Sequence, residues 1–157
     1  MSSPSLRLHH ETGRFIEVST AAGAPLWRYV YRPETPVSEA RRPYAHPLYS
    51  LRGDVLTNFR PNDHPWHHAL SLTLTRVDDV NFWGGPSYRA ADGYRPREDQ
   101  GEQVHRAWIS LAPEALEQEL EWRDKSGAAL LAERRSLQTG IGAGAWTLRW
   151  TSELRNV

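Results

Sequence analysis

The sequence predicts an all-β protein, an antiparallel β-sandwich, and three observations carry that expectation. Apolar and polar residues alternate through most of the chain, the period of two that marks a half-buried strand. Turn formers divide these stretches into short, evenly spaced pieces, as in a sandwich. Nine of the eleven prolines fall between Pro25 and Pro96, which excludes long helices there and implies ordered, irregular loops.

Nine strands are expected in chain order. Residues 5–10 and 14–20 alternate around Thr12-Gly13, and 26–31 follows Gly23-Ala-Pro25. Residues 55–59 follow Gly53-Asp54, and 69–76 place Leu70, Leu72 and Leu74 between serine and threonines. Residues 104–111 come next. Residues 115–123 could be helical, because Ala112, Leu116 and Leu120 are spaced by four. A strand is the better reading: Leu116, Leu120 and Trp122 share a face at period two, and Asp124-Lys-Ser-Gly127 turns the chain into a partner at 130–138. The last strand, 146–154, alternates Trp146, Leu148 and Trp150 with polar residues and runs almost to Val157, where a short polar tail is usual. The expectation is a chain truncated at its C-terminus, whose last strand leaves an edge open to self-association.

At 157 residues the chain suits one domain, 1–157, with a substantial core. Lys+Arg and Asp+Glu both number 19, so no global field favours nucleic acid or an anionic membrane. Lys125 is the single lysine, an arginine bias of the kind a GC-rich genome produces. With no cysteine there is no disulfide, thiolate nucleophile or Cys-based metal site. No stretch resembles a secretory signal or approaches about 18 consecutive apolar residues. A soluble, cytoplasmic protein is the default expectation.

Chemistry-bearing residues gather in one place. Asp63-His64-Pro65-Trp66-His67-His68 holds three of the seven histidines, and His46 stands upstream in Pro43-Tyr-Ala-His46-Pro. Histidine titrates near neutrality and is the commonest metal ligand, so the cluster suits proton transfer or coordination. If 67–76 is one strand, His68 shares a face with Leu70, Leu72 and Leu74 and points with the core, while His67 joins the small polar residues. His64, before Pro65, could curl over that face. Asp63 either orients a histidine or caps the turn opened by Asn62, and His46 either holds its loop or acts as a ligand. Trp83 and Tyr88 flank Gly84-Gly-Pro86 and could form a stacking platform, although such aromatics also serve as core or loop anchors. Trp27, Trp108, Trp122, Trp146 and Trp150 read as core.

Other chemistries find no support. The glycines lack the Lys-Ser/Thr of a phosphate loop, and there is no Gly-x-Ser-x-Gly elbow. Glu114, Glu117, Glu119 and Glu121 read as the solvent side of a strand rather than a glycosidase pair. The His-x2-His spacing with proline inside differs from the helical pair that prearranges metal ligands.

The run Pro43-Tyr-Ala-His46-Pro-Leu, then Asp63-His-Pro-Trp-His67, then Asn81-Phe-Trp83 resembles the PmoA family of uncharacterised bacterial proteins in order and spacing. A looser likeness includes Tyr29-Val-Tyr31-Arg-Pro33 and Glu133-Arg-Arg135. The resemblance implies a sandwich like the galactose-mutarotase-like supersandwich of aldose epimerases, a carbohydrate-related role and a parent about twice as long, of which this would be an N-terminal portion. It does not imply methane oxidation: the like-named methane monooxygenase subunit is a bundle of transmembrane helices. Where the family continues with Lys or Arg and then Gly, this chain has His68 and Ala69, which moves His68 further from a functional role.

The resulting expectation is a sugar-binding or sugar-modifying protein. His64 and His67 are the candidate acid/base residues; His46, Arg60, Asp63, Asn81 and Trp83 are candidate substrate contacts. The expected partner is a small molecule, a carbohydrate, with no nucleic acid, no membrane and no required cofactor. The alternatives are a non-catalytic sugar-binding module and an enzyme with a divalent metal held by His46, His64 and His67.

Overall fold

The structure, a computed structural model, describes residues 6–157; Ser5 of the first expected strand lies outside the described residues. Ten strands form in chain order: β1 Leu6–Glu11, β2 Phe15–Thr20, β3 Pro25–Val30, β4 Tyr44–Leu48, β5 Ser87–Arg89, β6 Gly93–Arg95, β7 Glu102–Leu111, β8 Ala115–Arg123, β9 Ala129–Ile141 and β10 Trp146–Asn156. The described residues contain no α-helix, only a 3-10 turn at Val37–Glu39. Two four-stranded antiparallel sheets, ordered β1-β2-β3-β4 and β10-β9-β8-β7, face each other, with β5-β6 as a separate hairpin. The fold is an all-β antiparallel sandwich.

Alternation produces the core. On β8 the buried set is Leu116, Gln118, Leu120 and Trp122, and on β9 Leu131, Glu133, Arg135, Leu137 and Thr139, each at period two. One end of this face, Leu116 and Leu137, packs on Ile16, Val18, Leu26, Trp27 and Tyr29 of the opposite sheet. Each fully buried aliphatic side chain of this kind is worth about 1.5–3 kcal/mol. The other end, Trp122 and Leu131, is covered by Phe82 together with Leu72, Leu74, Val77 and Val80. The long connection from β4 to β7 thus replaces the first sheet over half of the second.

Between the two apolar ends lies a buried polar girdle. Arg135, fully buried, donates to Glu133 Oε1 at 2.7 Å, Glu133 Oε2 at 2.8 Å, the Tyr29 hydroxyl at 2.8 Å and Gln103 Oε1 at 2.9 Å. Glu133 also accepts the Trp122 indole N–H at 2.7 Å, and Gln118 donates to the Tyr29 hydroxyl. Burial pushes Tyr29 up to about 12, so its hydroxyl stays protonated. The girdle ties both sheets to the connection, because Gln103 Nε2 donates to the Leu72 carbonyl at 2.8 Å.

Two expected strands are absent. Residues 55–59 and 69–76 make only the isolated bridges Tyr49↔Val55, Phe59↔His68 and Ala45↔Leu70. Ala69 has φ +46, which breaks the alternation on which the facing of 67–76 rested. Leu72 and Leu74 still pack inward, but as loop anchors. Three strands went unexpected. β4 contains Pro47 and is an edge, where a missing N–H is tolerated. The β5–β6 hairpin has three-residue strands, too short for a periodic signal.

Candidate functional site

Residues 60–67 form a closed loop. Arg60 N–H donates to the His67 carbonyl at 2.9 Å, and two successive turns close inside it, from His64 N–H to the Pro61 carbonyl and from His67 N–H to the His64 carbonyl, each at 3.0 Å. Arg60 enters at φ +50. This geometry displays His64, Trp66 and His67 on one side. The two imidazoles lie 5.0 Å apart, His64 is 5.1 Å from the Trp66 ring, and His67 meets the Trp83 ring edge-on at 5.7 Å.

Trp83 belongs to a second loop, organised by Asn81. The Asn81 Oδ1 accepts the N–H groups of Trp83 at 2.8 Å and Gly84 at 2.9 Å, while its amide donates to Ser87 Oγ at 2.8 Å and the Gly85 carbonyl at 3.3 Å. Gly84 and Gly85 sit at φ +97 and +65. A Cβ on Gly84 would lie 2.6 Å from the Glu39 carbonyl oxygen, and one on Gly85 would lie 2.5 Å from the Trp66 ring, so only glycine lets the loops close together.

Arg42 joins these loops. Its buried guanidinium donates to the carbonyls of Glu39 and Ala40 at 3.0 Å, Trp83 at 3.1 Å and Trp66 at 2.6 Å, and to Ser71 Oγ at 3.2 Å. Burial lowers its pKa to about 10, against the pull of Glu39, which leaves it cationic at neutral pH. One side chain therefore sets the spacing of both tryptophan walls.

Between the walls is an open cavity of about 860 Å³. Trp66, Trp83, Tyr88 and Tyr94 supply its aromatic surface, and His64, His67, Arg76, Asp79, Arg89 and Asp99 also line it. Tyr88 and Tyr94 are a cross-strand pair of β5–β6, with rings 5.1 Å apart. Arg76 is paired with Asp79, and Asp99 accepts from Ser87 Oγ at 2.8 Å.

Of the residues singled out from sequence, His64, His67, Asn81, Trp83 and Tyr88 line this cavity. Asn81 does so with its amide fully committed to its own loop, which makes it a positioning residue rather than a substrate contact. Asp63 stands outside the lining and holds His64 Nδ1 at 3.0 Å; that hydrogen bond keeps its carboxyl below the usual range. In the tautomer that donates Nδ1–H to Asp63, His64 Nε2 is left as a proton acceptor. His46 is placed elsewhere, with Nδ1 2.8 Å from Thr57 Oγ1 and its ring stacked on Phe59. Among the described residues no group of three or more His, Asp or Glu is placed to hold a metal, so the set His46, His64 and His67 does not assemble.

Arg60 is also committed elsewhere. Its guanidinium lies on Glu39, with Nη2 2.6 Å from Oε1, and His68 Nε2 reaches the other carboxylate oxygen at 2.8 Å. His68 is buried, as its expected core position requires, but its partner is a carboxylate that the sequence did not suggest. Burial would raise the Glu39 carboxyl, yet the hydrogen bonds from Arg60 and His68 outweigh this and hold it low. For His68, burial and the nearby Arg42 and Arg60 charges lower the pKa to about 4, against the pull of Glu39.

A pH dependence follows. Below its ordinary value of 6.5 the unfolded His68 takes up a proton that the folded site excludes, so stability falls between pH 6.5 and about 4. The expected loss is about 3 kcal/mol. His46 and His105, also lowered by burial, add to the same slope. Glu39, held low, loses its contribution only further into acid, as pH drops through its folded value. Denaturant titrations from pH 7.5 to 4 should show this early decline, with His68→Gln flattening much of it; a curve flat down to pH 4.5 would contradict the assignment.

Arg42, Trp66 and Tyr94 escaped the sequence reading. Trp66 lay inside the singled-out motif, and an Asp92-Gly93 turn signal between Tyr88 and Tyr94 could have revealed the hairpin. Arg42 directly precedes Pro43 of the motif and gives no local sign that it also serves the Trp66 and Trp83 carbonyls of distant loops.

Fold and site together define a class: an all-β sandwich protein with an aromatic-walled cavity on the long connection between its sheets. The chain belongs to the family of unknown function DUF6807, whose model matches residues 18–157, a span that includes the whole cavity. No curated protein and no solved structure matches it.

Proposed function

We propose that the cavity binds a sugar ring and that His64 and His67 exchange protons with its hydroxyl or carbonyl oxygens. The observation that carries this reading is the meeting of four aromatic side chains, Trp66, Trp83, Tyr88 and Tyr94, with two neighbouring imidazoles around about 860 Å³. Indole and phenol faces suit the apolar faces of a pyranose, and an imidazole within reach can act as acid or base near neutral pH. The 3.0 Å contact of His64 Nδ1 with Asp63 supports this role, because donation from Nδ1 leaves Nε2 as a proton acceptor. The likeness of the Asp63–His67 and Asn81–Trp83 motifs to the PmoA family, with its aldose-epimerase-like sandwich and carbohydrate setting in the cytoplasm, belongs to the same proposal.

Calorimetric titration of the 157-residue chain with a panel of aldoses and keto-sugars, each also followed for turnover by NMR, tests it. Trp83→Ala should weaken binding about tenfold by removing a stacking face. His67→Ala should leave binding within a few-fold while reducing turnover by about 10²–10⁴. Binding without turnover of any sugar would leave a non-catalytic sugar-binding module, and no binding at all would overturn the reading.

A further inference from the structure

The cavity holds two aromatic platforms. Trp66 and Trp83 meet the imidazoles, with His64 5.1 Å from the Trp66 ring and His67 5.7 Å from the Trp83 ring. Tyr88 and Tyr94 meet each other as a cross-strand pair on the β5–β6 hairpin, and within the cavity no tryptophan ring pairs with a tyrosine ring.

The tyrosine pair contributes little to the fold. β5–β6 is a separate two-stranded sheet, and neither tyrosine joins either hydrophobic core. Tyr88 is 58% and Tyr94 76% exposed. Their mutual contact steadies the hairpin but leaves most of both rings in water. An exposed apolar patch that borders a cavity marks a binding surface.

Asn81 fixes one platform against the other. Its Oδ1 accepts the Trp83 N–H at 2.8 Å, and its amide donates at 2.8 Å to Ser87 Oγ, one residue before Tyr88. Ser87 Oγ in turn donates to Asp99 at 2.8 Å, and Arg97 pairs with Asp92 in the hairpin turn. Two platforms held at a set separation suit a ligand whose rings are held at a set separation.

We infer that the cavity takes two linked sugar units, one stacked on Trp66 and Trp83 beside His64 and His67, the next on Tyr88 and Tyr94. The ligand class is then a disaccharide, free or at the end of a longer chain, rather than a lone monosaccharide; the inference rests on the proposed binding of sugar rings at this site. The volume agrees. The cavity's size of about 860 Å³ is that of a pocket enclosing a drug-sized ligand, whereas one pyranose has only about a dozen heavy atoms. Nor does the cavity close at the hairpin: Asp79, Arg89 and Asp99 also line a second cavity of about 530 Å³, which leaves a longer chain room to continue.

Calorimetric titration of the 157-residue chain with matched mono- and disaccharides of glucose, galactose, mannose and xylose tests it. The expected result is a disaccharide bound at least about tenfold tighter than its monosaccharide, because the second ring adds contacts without a second loss of translational freedom. Tyr94→Ala or Tyr88→Ala should bring the disaccharide down to the monosaccharide's affinity while leaving monosaccharide binding within about twofold. Tyr94→Phe, which keeps the ring, should behave like the unaltered protein, and Trp83→Ala should weaken both lengths. Circular dichroism and thermal midpoints check that the variants fold. A disaccharide bound no tighter than its monosaccharide for every sugar that binds, or an advantage that survives both tyrosine-to-alanine changes, overturns the inference and leaves the single-ring site standing. No binding of any sugar at either length overturns the sugar reading and the inference together.

Discussion

Arg42→Ala should lower the unfolding free energy by about 3–5 kcal/mol and abolish ligand binding in the cavity. The side chain is buried and donates to the carbonyls of Glu39, Ala40, Trp66 and Trp83. Alanine leaves these acceptors without a partner and creates a void, and each buried acceptor so orphaned costs about 1–3 kcal/mol. The loss does not reach the full sum because the loops can relax and admit water. Arg42→Lys should recover only part, since a single ammonium cannot serve carbonyls arranged around a planar fork. Urea denaturation gives the stability, and tryptophan emission reports the Trp66 and Trp83 walls. A loss below about 1 kcal/mol with unchanged emission would show that the loops hold their spacing without Arg42.

The second large effect belongs to Arg135→Met, expected to destabilise by about 3–5 kcal/mol. The guanidinium is the counterion of Glu133, and both side chains are fully excluded from solvent. Methionine fills part of the volume but leaves a carboxylate supported only by the Trp122 indole, in a medium where an unpaired charge is costly. Adding Glu133→Gln should therefore recover a substantial part of the loss, because the double variant buries no net charge. If the double variant were no more stable than Arg135→Met, the damage would lie in lost packing rather than in the uncompensated carboxylate.

The two arginines differ in how far the sequence announced them. Glu133-Arg-Arg135 sits on a strand whose period is plain, so alternation places Glu133 and Arg135 on the inner face with Leu131 and Leu137. What alternation cannot reveal is that two charges at core positions satisfy each other. For Arg42 there is no period to use, and the partners that join the two tryptophan loops lie 24 and 41 positions away. The histidine motif shows the same limit. That His64 and His67 stand together was legible from spacing and a constrained loop, whereas the departure of His46 and Arg60 to other partners, Thr57 and Glu39, was not.

Facing gave a correct burial for His68 through a strand that does not exist. Ala69 in the left-handed region ends the alternation one residue later, and His68 is buried because Glu39, Tyr44 and Phe59 surround it. Periodicity reports the environment of a residue only while the backbone remains extended.

By itself the sequence determined the all-β class, the inner faces of β8 and β10, and the motif that contains the candidate acid/base residues. These are local properties, because a two-residue period and a turn former act within a few positions. Tertiary structure alone decided that residues 49–86 fold as loops over half of one sheet, that Arg42 and the glycine pair set the distance between two tryptophans, and that Tyr94 completes the cavity. Those outcomes depend on which buried carbonyls and rings find partners across the chain, a competition settled by the whole packed molecule.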